Sequence, residues 1–299
     1  MSGRNEFLGG QNTSGLKHRE ELIPQGQVPG GLPATNTSMA KSLVPERRLM
    51  LPLPSRGLVY PEGSALCDCK ELEITGMKTP QLNIMSNTSF IKNGEMLNRL
   101  VQSALTNREV KVEQMLLADR FVLFTALRIS EYGTSYRVGL TCPSCGTKRP
   151  EVVDLGTFID EMKFLELAPL VPHSNVFGFK LPSSGLETKF RYLTGADEKE
   201  LYLNQRSKQR HGIVDEQNVT DTLMKVIVEL AGYDSKGTIN QIIQELPASD
   251  TKALLKYMAD HEPGVKMRTP FTCYGCDFTG KVGVPVEASF IAPDSNDSE

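Results

Sequence analysis

Two short cysteine pairs, Cys142-Pro-Ser-Cys145 and Cys273-Tyr-Gly-Cys276, constrain this chain more than any other feature. Two intervening residues let a backbone curl until both sulfurs face one point, as in a zinc knuckle. Pro143 fixes one φ of the first turn, and Gly146 supplies a permissive residue after it. Four thiolates around Zn²⁺ form a closed tetrahedron, with bonds of about 2.3 Å and no position left for substrate. A zinc ribbon usually spaces its pairs by about 15 to 20 residues. Here Cys145 and Cys273 stand 128 positions apart. One shared structural zinc, held by Cys142, Cys145, Cys273 and Cys276, would therefore clip the two ends of a long helical insertion. Loop-closure entropy grows only logarithmically, so a metal can compensate for that length. Two disulfides, a redox pair and ordinary buried cysteines are the rival readings. A redox Cys-x-x-Cys is expected to open a helix, and neither pair precedes one convincingly. Cys67-Asp-Cys69 is a poor chelate at a turn-to-strand junction and reads as two half-buried cysteines.

The chain has 299 residues, a net charge of −3, six cysteines and no tryptophan. Six cysteines are too few for a disulfide scaffold. The near-neutral charge disfavours a nucleic-acid coat or a polybasic membrane binder. No apolar stretch approaches the length of a membrane span, and no signal-peptide pattern opens the chain, so a cytosolic setting is expected. Residues 1–47 hold seven glycines, four prolines and a single aromatic, Phe7. That composition predicts an N-terminal arm that is disordered or ordered by a partner. Residues 295–299 read as a frayed tail, leaving 48–294 as the folded part.

Within it, Leu53-Pro-Ser-Arg-Gly57 reads as an extended arm entering a turn. A strand is expected at 71–75, a short helix from Thr79-Pro80, an amphipathic helix over about 94–106, and a nearly all-apolar helix over about 112–131. A strand at 136–140 leads into the first knuckle. A second stretch repeats this plan: a strand at 187–193, helices over about 196–210, 218–231, 238–246 and 249–260, an extended run to Phe271, then the second knuckle and a strand over 280–290. Ile74-Thr-Gly-Met-Lys-Thr79 and Tyr192-Leu-Thr-Gly-Ala-Asp197 occupy matching places. An internal duplication with halves 48–150 and 151–294 is a candidate reading; chance is the alternative. The fold class expected is α+β, mainly helical, with short antiparallel strands and a zinc-ribbon-like four-cysteine clip.

Other chemistry is sparse. None of the four histidines neighbours a serine or cysteine in a known nucleophile setting. There is no phosphate loop, dinucleotide fingerprint or His-Glu-x-x-His, so neither an enzyme nor a small-molecule substrate is expected. Asp119, Arg120 and Arg128 interrupt the apolar helix and read as an internal ion pair fixing helix packing, with a partner-facing site as the alternative. Arg206-Ser-Lys-Gln-Arg-His211 reads as a solvated helix end.

A set of strings resembles the family of T4-type phage baseplate hub subunits, also called baseplate hub assembly chaperones. These are Leu51-Pro-Leu-Pro-Ser-Arg-Gly-Leu-Val-Tyr60, Leu116-Leu-Ala-Asp-Arg-Phe-Val-Leu-Phe124, Leu127-Arg-Ile-Ser-Glu-Tyr-Gly133, Tyr136-Arg-Val138 before the first knuckle, Leu246-Pro-Ala-Ser-Asp250, and Gly283-Val-Pro-Val-Glu-Ala-Ser-Phe290 after the second. The resemblance implies a non-enzymatic protein that helps build the central baseplate hub of a contractile phage tail, as a component or as an assembly chaperone. Its partners would be other hub and tail proteins. Its location would be the virion baseplate, or the host cytoplasm during assembly. Leu53, Pro54, Ser55, Arg56, Gly57 and Tyr60 are the candidate partner-binding residues. The alternative function is a zinc-stapled nucleic-acid-binding regulator, against which the charge balance argues.

Overall fold

The computed structural model describes residues 46–210, 218–286 and 290. The chain divides at Pro45/Glu46 into two units, Met1–Pro45 and Glu46–Glu299. The expected arm lies outside the described residues up to Pro45, as does the expected tail at 295–299.

The fold is a mixed α and β assembly in which helices dominate and every sheet is small and antiparallel. Strand β1 (Arg48–Pro52) pairs with β2 (Glu71–Thr75). Three helices follow: α1 (Thr79–Ser86), α2 (Thr88–Lys92) and α3 (Met96–Ala104). The long helix α4 (Leu117–Tyr132) leads into the hairpin β3 (Ser135–Thr141) and β4 (Lys148–Asp154), and then the short α5 (Leu155–Asp160). Next come β5 (Phe177–Lys180), β6 (Glu187–Phe190), α6 (Gly195–Arg210), α7 (Asn218–Val226) and β7 (Ile227–Leu230). Strand order in that sheet is β5-β6-β7. Helices α8 (Lys236–Glu245) and α9 (Ala248–His261) precede the last hairpin, β8 (Arg268–Thr272) and β9 (Thr279–Gly283). One hydrophobic core includes residues from both expected halves.

Helix α4 is the axis of this core. Val122, Leu123, Phe124, Ala126 and Leu127 are buried along it. It starts later than the apolar pattern suggests. Val112–Gln114 is a 3-10 turn, and Met115 and Leu116 are extended because their backbone pairs with the chain entering α6. There Leu117 N–H donates to Leu193 O at 3.0 Å and Gly195 N–H to Met115 O at 3.0 Å. Gly133, at φ 76°, ends the helix, its N–H bonding Ile129 O.

Asp119, Arg120 and Arg128 do not pair with one another: Arg120 makes the expected helix-fixing ion pair, with Glu198 of α6, while Asp119 and Arg128 are held by hydrogen bonds. Asp119 is fully buried and accepts three hydrogen bonds from the turn after β1. They come from Ser55 N–H (2.9 Å), Ser55 Oγ (2.6 Å) and Tyr60 OH (2.5 Å). Burial raises the carboxyl pKa, and these three donors oppose the rise. Arg120 donates to Asn98 Oδ1 on α3 and to Glu198 Oε2 on α6, each at 2.5 Å, tying three helices together. Arg128 donates to the carbonyls of Gly133 and Ser135 and lies over the Tyr132 ring.

The turn that holds Asp119 corrects a second expectation. Leu53, Pro54, Ser55, Gly57 and Tyr60 are buried, and only Arg56 of the candidate partner-binding residues is exposed. They serve the interior and present no free surface. Gly57 has φ 75°, and a Cβ there would stand 2.3 Å from Cys69 N, so only glycine fits.

Three helix boundaries also differ from expectation. The helix from 218 yields to strand at Ile227-Val-Glu-Leu230, where β7 pairs with β6. Helix α8 starts at Lys236 after Ser235, placing Thr238 inside it. Helix α1 has Lys78 as its N-cap, and Thr79 is already helical. Strand β9 ends at Gly283, short of the expected Phe290, which is helical. Thr194 does cap α6 with Asp197, as T-x-x-D: Thr194 N–H donates to Asp197 Oδ2 at 2.9 Å.

Tyr60→Phe tests the lock on α4. It leaves Asp119 Oδ2 one donor short and Leu116 N–H, which donates to Tyr60 OH at 3.0 Å, without an acceptor. Denaturant melts should show a loss of about 1–3 kcal/mol, against less than about 0.5 kcal/mol for Tyr132→Phe at the surface. Asp197 supplies a pH test. Burial alone would raise its pKa, but the bidentate Arg191 guanidinium and the Thr194 donors hold it at about 2, below the usual 3.8. Its stabilising effect is complete above the unfolded-state value and drains away as pH falls toward about 2. Asp197→Asn should therefore be less stable than wild type at pH 6, with the gap closing on acidification in thermal melts.

Candidate metal centre

The β3–β4 and β8–β9 hairpins turn through the two cysteine pairs, and both knuckles share one internal bond. Cys142 N–H donates to Thr147 O and Cys273 N–H to Phe278 O, each at 2.9 Å and each across a five-residue offset. In the first, Gly146 takes φ 74° and its N–H donates to Cys142 O at 3.0 Å, so the chain doubles back toward β4. In the second, Gly275 N–H donates to Cys273 Sγ at 3.3 Å. This bond is common to the two halves. Their first strands differ, since β2 pairs with β1 while β6 lies between β5 and β7.

The hairpins meet side by side. Arg149 on β4 lies over the rings of Phe271 and Tyr274, at 5.4 and 4.3 Å, and donates to Thr272 O. Tyr136 OH on β3 donates to Pro285 O at 3.0 Å. Phe290 is fully buried against Tyr136 and Phe124, at centroid distances of 5.0 and 5.2 Å. The strand after the second knuckle and the aromatic beyond it thus pack on the strand before the first.

All four sulfurs come together, as the sequence predicts. Every Sγ of Cys142, Cys145, Cys273 and Cys276 lies within 4.8 Å of the others. Cys142 to Cys276 is 3.7 Å, and Cys145 to Cys273 is 3.6 Å. These are pairings between knuckles. A disulfide would need about 2.05 Å, whereas four sulfurs around one ion at about 2.3 Å stand about 3.8 Å apart. Cys142 and Cys273 are buried and Cys145 is exposed. The group can hold a metal ion.

Its electrostatics point the same way. The Thr147 hydroxyl and backbone, and then Cys273, lower the Cys145 thiol to about 6. At Cys276 the Phe278 backbone lowers the pKa, but burial and the neighbouring sulfurs outweigh it and push it up to about 11. Clustered thiols cannot all ionise unaided; a cation at their centre removes that conflict.

Other expected features are placed as follows. Cys67 and Cys69 are half-buried, as read. His261 is half-buried against Tyr257, and His18 and His211 lie outside the described residues. Of the basic run, Arg206 bonds Lys92 O and Lys208 pairs with Asp221, so both serve the fold. Sequence reading missed a cavity of about 690 Å³ between α3, α4 and the segment after α9, lined by Met96, Leu97, Phe121, Phe124 and Val265. Its apolar lining is spread over elements whose packing the sequence does not reveal. No described helix is long and apolar enough to cross a membrane.

Comparison with protein families, with curated proteins and with solved structures finds nothing that matches this chain.

Cys142→Ser should bind one metal ion fewer per chain than wild type and lower the thermal midpoint by on the order of 10 °C. Unchanged metal content and midpoint would refute the clip. Chelation of the wild type should reproduce the loss, and the added ion should reverse it.

Proposed function

We propose that this chain is a non-enzymatic structural or assembly protein of a contractile phage tail, acting in the central baseplate hub as a component or an assembly chaperone. The carrying observation is how the resembling strings relate in space. Leu51–Tyr60 and Leu116–Phe124 form the two sides of one buried lock, through Ser55, Tyr60, Leu116 and Asp119. Leu246–Asp250 supplies a second. Asp250 is fully buried and accepts the N–H groups of Ser183 and Ser184, closing the β5–β6 turn. Pro285 and Phe290, from the last string, pack on Tyr136 of β3, the strand that runs into the first knuckle. The strings thus contribute buried contacts to a single fold, and this supports reading them together as one signature. The partners in this reading are other hub and tail proteins, in the virion or in the host cytoplasm during assembly.

The metal in this reading is Zn²⁺ in a structural role. Four thiolates in a closed tetrahedron suit a redox-inert ion. It would be held by Cys142, Cys145, Cys273 and Cys276 and would join the two hairpins. Elemental analysis of the purified protein tests its identity; iron in place of zinc would overturn it.

Mass spectrometry of purified tails and of assembly intermediates tests the function. The protein should be present in one or both. Absence from both, or salt-dependent binding to DNA or RNA fragments, would overturn the reading.

A further inference from the structure

A second group of metal-ligating side chains converges on the other side of the Asp119 lock. Cys67 Sγ lies 3.3 Å from His173 Nδ1, and Asp68 Oδ1 lies 3.9 Å from the same nitrogen. Cys67 Sγ and Asp68 Oδ2 are 3.9 Å apart. We propose that Cys67, Asp68 and His173 form a divalent-cation site of borderline softness, suited to Zn²⁺, with its fourth position open to water or to a donor from another molecule.

The distances suit an ion. Sulfur, nitrogen and oxygen donors on a tetrahedral ion, with bonds of about 2.0–2.3 Å, stand about 3.3–3.6 Å apart. The Cys67–His173 separation already meets that. Asp68 has to approach by a few tenths of an ångström, and its side chain is 66 % exposed and free to do so.

The directions exclude the obvious rival, a cysteine–histidine–aspartate relay. A relay needs the thiol on one ring nitrogen and the carboxylate on the other. Here the thiol and the carboxylate both face Nδ1. Three donors crowding one point is the arrangement a cation uses and a proton relay cannot.

The backbone supplies an independent observation. Asp68 has φ 52° and His173 φ 55°, in the left-handed region that few residues with a Cβ enter and that Asn, Asp and His tolerate best. Arg56 and Ala231 are the other described non-glycine residues there. Two of the three proposed ligands therefore share an uncommon backbone conformation.

The site also has something to join. Cys67 and Asp68 follow the turn that grips Asp119, with Asp68 N–H donating to Gly57 O at 3.2 Å. His173 belongs to the irregular segment between α5 and β5, which crosses that turn. Leu165 N–H donates to Pro54 O at 2.8 Å, and the Arg56 guanidinium lies 4.6 Å over the Phe164 ring. An ion at Cys67, Asp68 and His173 would pin the crossing segment at its far end. Unlike the four-sulfur cluster, it would have only three protein ligands, and the 66 % exposed Asp68 side chain puts its open position toward solvent.

The test is a metal count on the full chain after saturation with Zn²⁺ and dialysis. Cys67→Ser and His173→Asn should each hold one ion fewer than wild type, whatever the four-cysteine cluster holds. Asparagine is chosen because it tolerates positive φ, and circular dichroism should show both variants folded. In Cys142→Ser the second ion should remain. In wild type titrated with a chelator, the ion released first should be the one that His173→Asn lacks, because three ligands and an open face hold metal less tightly than four thiolates. With Co²⁺ alone, Cys67→Ser should lose a sulfur-to-cobalt charge-transfer band that Cys142→Ser retains. Metal content equal to wild type in both Cys67→Ser and His173→Asn would overturn the proposal.

Discussion

Helix α4 is enclosed on nearly every side, and a helix so placed has to satisfy three charged side chains without water. Asp119 does so through hydroxyls and one backbone N–H of a single turn. Arg120 reaches a side-chain amide on α3 and a carboxylate on α6. Arg128 takes carbonyls just past its own helix end. Each solution fixes the helix against a different neighbour. A purely apolar α4 could slide or rotate in its sheath; these three groups leave it one register. Buried polar groups are costly unless matched, so the same contacts that specify the fold are those whose loss destabilises it most.

The cysteine cluster solves a different problem. Small two-stranded hairpins are marginal alone, and β3–β4 and β8–β9 meet through few side chains, among them Arg149 on Thr272 O and Tyr136 on Pro285 O. Four sulfurs from both turns give them a common centre at one end, while Phe290 fills the gap near Tyr136 at the other. The long chain between the knuckles contributes its own core, so the junction need not hold the interior together; it needs only to keep the ends in place.

Much of this was readable from the sequence, and the failures share one cause. The knuckles and the apolar face of α3 are local patterns, and they fall where expected. The partner of Asp119 lies 64 positions away, so a charge on an apolar helix could be recognised but not assigned. Ser55 and Tyr60 stand among the partner-binding candidates because the carboxylate that draws them inward is remote in sequence. Ile227-Val-Glu-Leu230 continues the amphipathic pattern of α7 and becomes a strand only because β6 offers a free edge. The Lys148–Asp154 strand was not anticipated, since its sequence is charged and carries Pro150; its pairing is imposed across the knuckle by Thr141 and Lys148. His173 stands 106 positions from Cys67, and no spacing rule links them.

The separation of the two knuckles also imposes an order of events. During synthesis the first pair leaves the ribosome as half of a ligand set and must wait, with its thiols unprotected, while the entire helical region is made. Only when Cys273 and Cys276 emerge can the centre close. Closure therefore reports that the intervening chain has been translated and has folded compactly enough to bring its ends together. A truncated or misfolded copy would carry an open, reactive pair of thiols, chemically distinct from every finished molecule.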